Sequence, residues 1–416
     1  MYARGIANLA QAFENPDFAR FTYGNAVSLV GMWGLRIAVG WLAWELTEQA
    51  FWVGLVAFAD LFPTLVITPL AGAIADRRSR LAIVRVCQLV SMAIVTALTV
   101  LVWQDRLTVE LLALLVLANG MVMGFKQPSR MALTRILVRP KDLPTAIAVN
   151  AIVFNLARFV GPSLAGALIV TVGVEAVLVF DVLSSAFFLA VIRAIHLDSP
   201  PARKGAPKGL GSDVIEGVRY ASGHPGIGPI MLLMLVLGIN MRAYIELLPA
   251  YSALILERGA DGLAVLSAGI GVGAMLAGLW MMQRTGLEGL TRVVVLNHTI
   301  SAASLLAVAY APSLPLATAA VVVNGFSLAM AGIGSQTLTQ RVVDETMLGR
   351  VMSLYGVIFR AGPAAGALAM GALADLSGLR TPFVAGAIIS LVACVVVGRR
   401  LLGVTATLEE PAAEAG

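Results

Sequence analysis

The sequence predicts an all-α membrane protein with twelve transmembrane helices, on three observations. Hydrophobic residues fill 59% of the 416 positions and charged residues only 13%, and the mean hydropathy is +0.88, a balance far from that of a chain folding in water. Apolar stretches of about 20 residues, the length that crosses a hydrocarbon core of about 30 Å, recur along the whole chain. Lys and Arg crowd alternate breaks between those stretches, the asymmetry expected of loops kept in the cytoplasm.

In order, the spans are read near 18–46, 51–75, 81–103, 109–136, 144–172, 174–195, 227–256, 263–283, 291–311, 315–338, 350–374 and 380–398. Short polar or Gly/Pro breaks end each of them, and the charges in the breaks set direction. Arg77, Arg78, Arg80 and Arg85 follow the second span and Arg139 and Lys141 the fourth. Arg203, Lys204, Lys208 and Arg219 follow the sixth, and Arg399 and Arg400 the twelfth. The opposite loops carry Arg106, Arg258 and Arg380. Both termini are therefore expected on the cytoplasmic side. The first span is expected to be retained, because Asn8, Gln11, Glu14, Asn15, Pro16 and Asp17 interrupt the apolar core that a cleavable leader needs.

The net charge of +5 is spread over juxtamembrane clusters, which argues against a nucleic-acid partner. Cys87 and Cys394 both fall inside spans, so neither a disulfide framework nor a thiolate metal site is expected. His196, His224 and His298 are isolated from one another and lack ligand spacing, so no metal is expected. No nucleophile, base and orienting group form a constellation and no phosphate-cradling loop occurs; the chain is expected to be no enzyme and to need no cofactor.

The organisation expected is a first six-helix bundle over 1–196, a cytoplasmic linker over 197–226 rich in Pro, Gly, Lys and Arg, a second bundle over 227–400 and a cytoplasmic tail over 401–416. Within the linker, the run from Asp213 to Tyr220 is weakly amphipathic, fit either for the inner membrane surface or for a short solvated helix. The halves match one another. Asn119-Gly120 recurs as Asn324-Gly325, Leu133-Thr134 as Leu338-Thr339 and Gly161-Pro162 as Gly362-Pro363, while Arg36 lines up with Arg242. Several pairs in one register point to duplication.

The loop Gly72-Ala73-Ile74-Ala75-Asp76-Arg77-Arg78-Ser79-Arg80 between spans two and three resembles the loop signature of the major facilitator superfamily. That resemblance implies two six-helix bundles, a central site reached by alternating access, and a cytoplasmic gate in which Gly72, Asp76, Arg77 and Arg80 hold one conformation and release in the other. A plainer reading of the same arginines is that they keep the loop inside by charge. In the second half Gly278 and Arg284 remain, but Met282 stands where the acid would be, so that copy reads as degenerate. Longer matches narrow the branch. Gln127-Pro128-Ser129-Arg130, Val138 to Leu143, Ala146 to Asn150, Asn155 to Pro162, Trp41 to Thr47 and Leu348 to Ser353 are together similar to the branch of enterobactin exporters and macrolide efflux pumps. The branch implies proton-driven export of small molecules. One departure is that the arginine many drug/proton antiporters carry in span four is absent from Leu114 to Met121; Lys126 and Arg130 lie further along, where the sequence puts them at the inner interface.

Ionisable groups in hydrocarbon are costly and mark function. Arg36 and Asp60 are expected at similar depth, placed for a salt bridge, and Arg242 and Glu246, four residues apart, are expected on one helix face. Arg158 and Arg360 precede the two Gly-Pro pairs near mid-membrane. These arginines suit an anionic or zwitterionic substrate, or else lock helices together. Asp60 and Glu246 are candidate proton carriers, with Asp181 and Glu45 behind them. Trp33, Trp41, Trp44 and Trp52 fit an interfacial belt as well as a ligand cage. Gly161-Pro162 and Gly362-Pro363 are expected to relax or bend their helices. The reading that follows is a monomeric, proton-coupled exporter of a small amphipathic drug or secreted metabolite such as a siderophore, multi-pass in the bacterial inner membrane. Its alternatives are an importer of a small organic anion and a transport-inactive membrane sensor.

Overall fold

The computed structural model describes residues 13–75, 79–195, 210–284 and 286–409, and among them every regular element is helical. In chain order these are α1 (Pro16–Thr47), α2 (Ala50–Ala75), α3 (Arg80–Trp103), α4 (Val109–Leu137), α5 (Leu143–Thr171) and α6 (Val174–Ala194). There follow α7 (Leu210–Gly223), α8 (Ile227–Leu237), α9 (Leu248–Leu254), α10 (Ala260–Gln283), α11 (Leu290–Ala309), α12 (Leu314–Val342), α13 (Glu345–Ser377), α14 (Arg380–Gly403) and α15 (Thr405–Glu409). Among the described residues twelve segments are long and apolar enough to cross a membrane, with α8 and α9 forming one of them, Ile227–Leu254. Helices are what a bilayer demands, since lipid offers no partner to a backbone amide. Reversals are short. Glu48, Asp105 and Glu257, after the first, third and seventh spans, adopt φ of 53°, 53° and 51°, the left-handed conformation that turns a chain sharply.

The chain divides into two units, Met1–Leu46 with Phe62–Ala206, and Thr47–Leu61 with Pro207–Gly416. In the first, Phe18 and Phe21 of α1 pack with Leu81 and Val84 of α3, Leu133 of α4 and Phe188 of α6. Arg85 of α3 donates to the carbonyls of Ile192 at 2.8 Å and Ile195 at 2.9 Å, satisfying acceptors that the end of α6 leaves open.

In the second unit, Ile227, Ile230, Leu290, Val294 and Leu401 share a core. The Glu409 carboxylate of α15 accepts from the backbone amides of Gly289 at 2.5 Å and Thr291 at 2.7 Å, capping α11 from far along the chain. The linker helix α7 docks on α13 of the same unit. The Tyr220 hydroxyl donates to Asp344 at 2.8 Å, Glu216 pairs with Arg350 at 3.0 Å, and Gly217 lies against the Arg350 backbone. The first half of α2 also belongs here, held by the Asp375 carboxylate, which accepts from the amides of Ala50 at 2.9 Å and Phe51 at 3.1 Å.

Each unit repeats one buried polar joint. In the first, Ser91 of α3 donates to Asn119 of α4 at 2.7 Å. In the second, Asn324 of α12 donates to Ser301 and Ser304 of α11 at 3.1 and 2.9 Å and accepts from the Tyr244 hydroxyl at 2.9 Å. The asparagines are the pair that the sequence aligns.

Candidate functional site

In the first unit the charged candidates converge on one indole. Trp33 and Arg36 sit three residues apart on α1 and therefore share a face; Arg158 and Gly161 do the same on α5. Gly161 seats the two helices together, because a methyl there would lie 2.6 Å from Trp33 Cβ and 2.7 Å from the Val30 carbonyl oxygen. This close approach brings Arg158 to 5.6 Å from the Trp33 ring centroid while Arg36 lies 5.7 Å from it. Phe154 packs edge-on to the same indole at 5.7 Å. The Trp33 Nε1 group is buried and has no hydrogen-bond partner among the described residues. Two guanidinium groups and an indole N–H present donors and positive charge, the chemistry that holds a carboxylate, a sulfonate or an aromatic face. The same contacts also tie α1 to α5, the helix-locking role that the sequence left open for these arginines.

The second unit uses the same parts differently. Its first membrane-crossing segment is not a continuous α-helix: Gly238–Arg242 forms a π turn and Ala243–Leu247 a 3-10 turn between α8 and α9. The α-helical spacing behind the expected shared face of Arg242 and Glu246 does not hold in this stretch, since a π turn and a 3-10 turn advance by different angles per residue. Arg242 lies over the Phe359 ring of α13, 3.7 Å from its centroid, and Tyr355 stacks on Phe359 at 6.1 Å. Gly362 permits the crossing, a methyl there meeting Gly238 Cα at 3.0 Å. Glu246 and Arg360 are half-buried in this unit, as is Asp60 on the first half of α2. Helices α5 and α13 run unbroken through Pro162 and Pro363, and it is the preceding glycines that set the packing.

Of the gate residues, Gly72 lies in the last turn of α2 and Arg80 opens α3, whose N-cap Ser79 accepts from the Ala82 amide at 3.4 Å. Asp76 and Arg77 lie outside the described residues. In the second half Arg284 stacks near Trp280 at 5.9 Å and donates to the Glu288 carbonyl.

Lys126 and Arg130 of α4 are 3% and 6% exposed, enclosed by protein inside the first unit. Lys126 acts electrostatically on Asp181 of α6, itself 4% exposed, whereas Glu45 is exposed. Among the described residues no group of three or more His, Cys, Asp or Glu is arranged to hold a metal.

Comparison with known proteins agrees in kind. The multidrug efflux pump Tap of Mycolicibacterium fortuitum is 26% identical over 377 residues, covering 87% of this chain and 88% of that protein. The enterobactin exporter EntS of Salmonella choleraesuis (strain SC-B67) is 24% identical over 424 residues, 99% of each. The staphyloferrin A transporter of Staphylococcus aureus is 21% identical over 357 residues, 85% of this chain and 88% of that one. Among solved structures, a bacterial homologue of the iron transporter ferroportin in an inward-facing state superposes with a TM-score of 0.71 at 14% identity, over 94% of this chain and 98% of that one; this likeness speaks to fold alone. A family model described as transmembrane secretion effector matches residues 8–413. The chain belongs to that family of membrane transporters, within the major facilitator superfamily.

Proposed function

We propose that this transporter is a proton-coupled exporter of a small amphipathic compound, a drug or a secreted metabolite such as a siderophore. In this reading it works by alternating access, as a monomer in the bacterial inner membrane with both termini in the cytoplasm. The observation that carries the substrate class is the Trp33 indole flanked by Arg36 and Arg158, a donor-rich aromatic surface suited to an anionic or zwitterionic aromatic compound. The relatives named above as a drug efflux pump and siderophore transporters support export. Asp60 and Glu246 are the proposed carriers of the driving proton, and Gly72, Asp76, Arg77 and Arg80 the proposed gate.

Expression in a pump-deficient bacterial host, challenged with a panel of drugs and catechol or carboxylate metabolites, tests the proposal. Wild-type chain should lower accumulation in a gradient-dependent way, and Asp60→Asn or Glu246→Gln should abolish that effect. A rise in accumulation would instead support the importer of an organic anion, a reading the same arginines favour equally. Absence of flux across the panel, with a dedicated protein partner retained on purification, would support the transport-inactive sensor.

A further inference from the structure

We infer that the paired ends of α11 and α14 form a binding site for an anionic phospholipid. Arg292 and Arg399 hold its phosphate, and its acyl chains lie on the apolar face beneath them. The inference rests on the topology proposed above for the leaflet alone, which that topology makes the cytoplasmic one.

Helix register brings the two arginines together. As the ninth and twelfth spans, α11 and α14 run in opposite directions. They touch where a methyl on Gly398 would lie 2.8 Å from Val295 Cγ1, and Leu290, Val294, Cys394 and Leu401 share one core beside that contact. Counted from it at about 1.5 Å per residue, Arg292 lies about 4.5 Å, Arg399 about 1.5 Å and Arg400 about 3 Å toward the same membrane face. Rotation agrees with depth. Arg292 stands about 60° round α11 from the contact and Arg399 about 100° round α14, and in antiparallel helices turns of like sign open on one side of the seam. Both arginines are exposed. So are Leu296, Val392 and Val395, which lie on that side and deeper along the spans. Arg400 is exposed further round α14 and flanks the pair.

The first unit shows what such arginines do when the protein uses them itself. The offset that relates Arg36 to Arg242 carries Arg193, at the end of α6, to Arg399, and carries Arg85 of α3 to within one residue of Arg292. Arg85 is engaged by the Ile192 and Ile195 carbonyls. The end of α14 needs no such donor, because the Val404 amide donates to the Leu401 carbonyl at 3.1 Å and the Thr405 hydroxyl to the Leu402 carbonyl at 2.9 Å. Among the described residues Arg292, Arg399 and Arg400 make no hydrogen bond or ion pair.

Their charge is open to a ligand. Neither α11 nor α14 carries a carboxylate. The acids at this end are Glu288, exposed before α11, and Glu409, whose two oxygens accept from the Gly289 and Thr291 amides. A guanidinium suits a phosphodiester because its parallel N–H groups meet two oxygens at once, and basic residues between spans at the inner face recognise lipid head groups. Free phosphate offers the same oxygens, but only a lipid also covers the apolar face directly beneath them.

The test titrates delipidated full-length chain in neutral detergent with phosphatidylglycerol or phosphatidylcholine and counts bound lipids by native mass spectrometry. Wild-type chain should bind its first phosphatidylglycerol more tightly than phosphatidylcholine. Arg292→Gln/Arg399→Gln should weaken phosphatidylglycerol by at least about tenfold, from roughly fivefold for each charge, and leave phosphatidylcholine unchanged. Arg135→Gln/Arg341→Gln removes two exposed arginines from the last turns of α4 and α12, the fourth and tenth spans, and should keep wild-type binding. Arg292→Lys/Arg399→Lys, which keeps the charge and loses the paired N–H geometry, should fall between, and decides the matter where the glutamine variant fails to fold. An equal loss in Arg135→Gln/Arg341→Gln, wild-type binding in both Arg292/Arg399 variants, or displacement of the lipid by millimolar inorganic phosphate overturns the inference. Labelling of the C-terminus from outside intact cells would refute the topology instead, on which the detergent titration does not depend.

Discussion

Replacing Asn324 by alanine tests whether the polar joint of the second unit holds its helices together. Asn324 is completely buried, as are Tyr244 and Ser301. The Tyr244 hydroxyl has its partner in Asn324 Oδ1 at 2.9 Å, whereas Ser304 also donates to the Ser301 carbonyl at 2.7 Å and keeps that bond in the variant. The loss thus falls on the Tyr244 hydroxyl and on Ser301 Oγ, which accepts from Asn324 at 3.1 Å. Stranding a buried hydroxyl costs about 1–3 kcal/mol, and each interhelical bond lost in a membrane protein about 0.6 kcal/mol on average. Asn324→Ala should therefore destabilise the fold by about 2–4 kcal/mol. Tyr244→Phe removes one bond and leaves an amide that still has the serines, at about 1 kcal/mol. In the double variant no tyrosine hydroxyl remains to be stranded, so its cost should fall short of the sum by about 1–2 kcal/mol. Reversible unfolding in mixed lipid–detergent micelles, followed by tryptophan fluorescence, gives the three values. Additivity within about 0.5 kcal/mol would refute the argument, since it would mean that Tyr244 does not depend on Asn324.

Three further outcomes follow from particular contacts. Gly161→Val and Gly362→Val should each cost about 1–3 kcal/mol by overpacking and lower the melting temperature in detergent, whereas Gly356→Ala, where a methyl meets nothing within 4 Å and alanine is the better helix former, should hold or raise it. Glu409→Ala should cost about 1–2 kcal/mol and speed amide exchange at the start of α11, because the carboxylate caps Gly289 and Thr291. Burial holds the His224 imidazole below the ordinary histidine value, against an opposing pull from Asp344, and its Nδ1 accepts from the amides of Gly226 and Ile227 at 3.1 and 3.2 Å. The fold thus favours the neutral ring: the cap is intact above about pH 6.5 and is lost as pH falls through the lowered folded value. Amide exchange at 226–230, corrected for intrinsic rate, should accelerate in that window, and His224→Asn should flatten the dependence; equal acceleration in both would exclude the histidine.

The spans were legible because lipid imposes one solution on the backbone, an apolar helix of fixed minimum length. The repeat was legible because Asn, Gly and Pro are conspicuous inside apolar runs, and the aligned pairs Asn119 and Asn324, and Gly161 and Gly362, occupy matching joints. The π turn at Gly238–Arg242 left no such trace, since hydropathy does not report whether an amide bonds four or five residues back. Trp33 was ambiguous for a related reason: a belt tryptophan and a ligand tryptophan have the same neighbours in sequence. The contact with Arg158, which arrives from α5, shows only in the fold. That Lys126 and Arg130 are enclosed by protein was not legible either, because neighbouring helices distant in sequence do the enclosing.

Duplication and divergence can be separated along these lines. Both units retain an arginine in the first span beside an aromatic ring, a glycine that brings that span against the Gly-Pro helix, and an asparagine tying two neighbouring helices. These are packing devices, and symmetry suits them because each unit must hold its own helices together. Buried charge is different. At the offset that carries Asn119 to Asn324, the partner of Lys126 is Ala331, fully buried and without charge. The Tyr244 hydroxyl, conversely, falls where the first half has Ala38 at the offset relating Arg36 to Arg242. A buried charge bears a desolvation cost that a packing device does not, so duplication gives no reason for both halves to keep one, whereas glycine seats and polar joints serve each half alike.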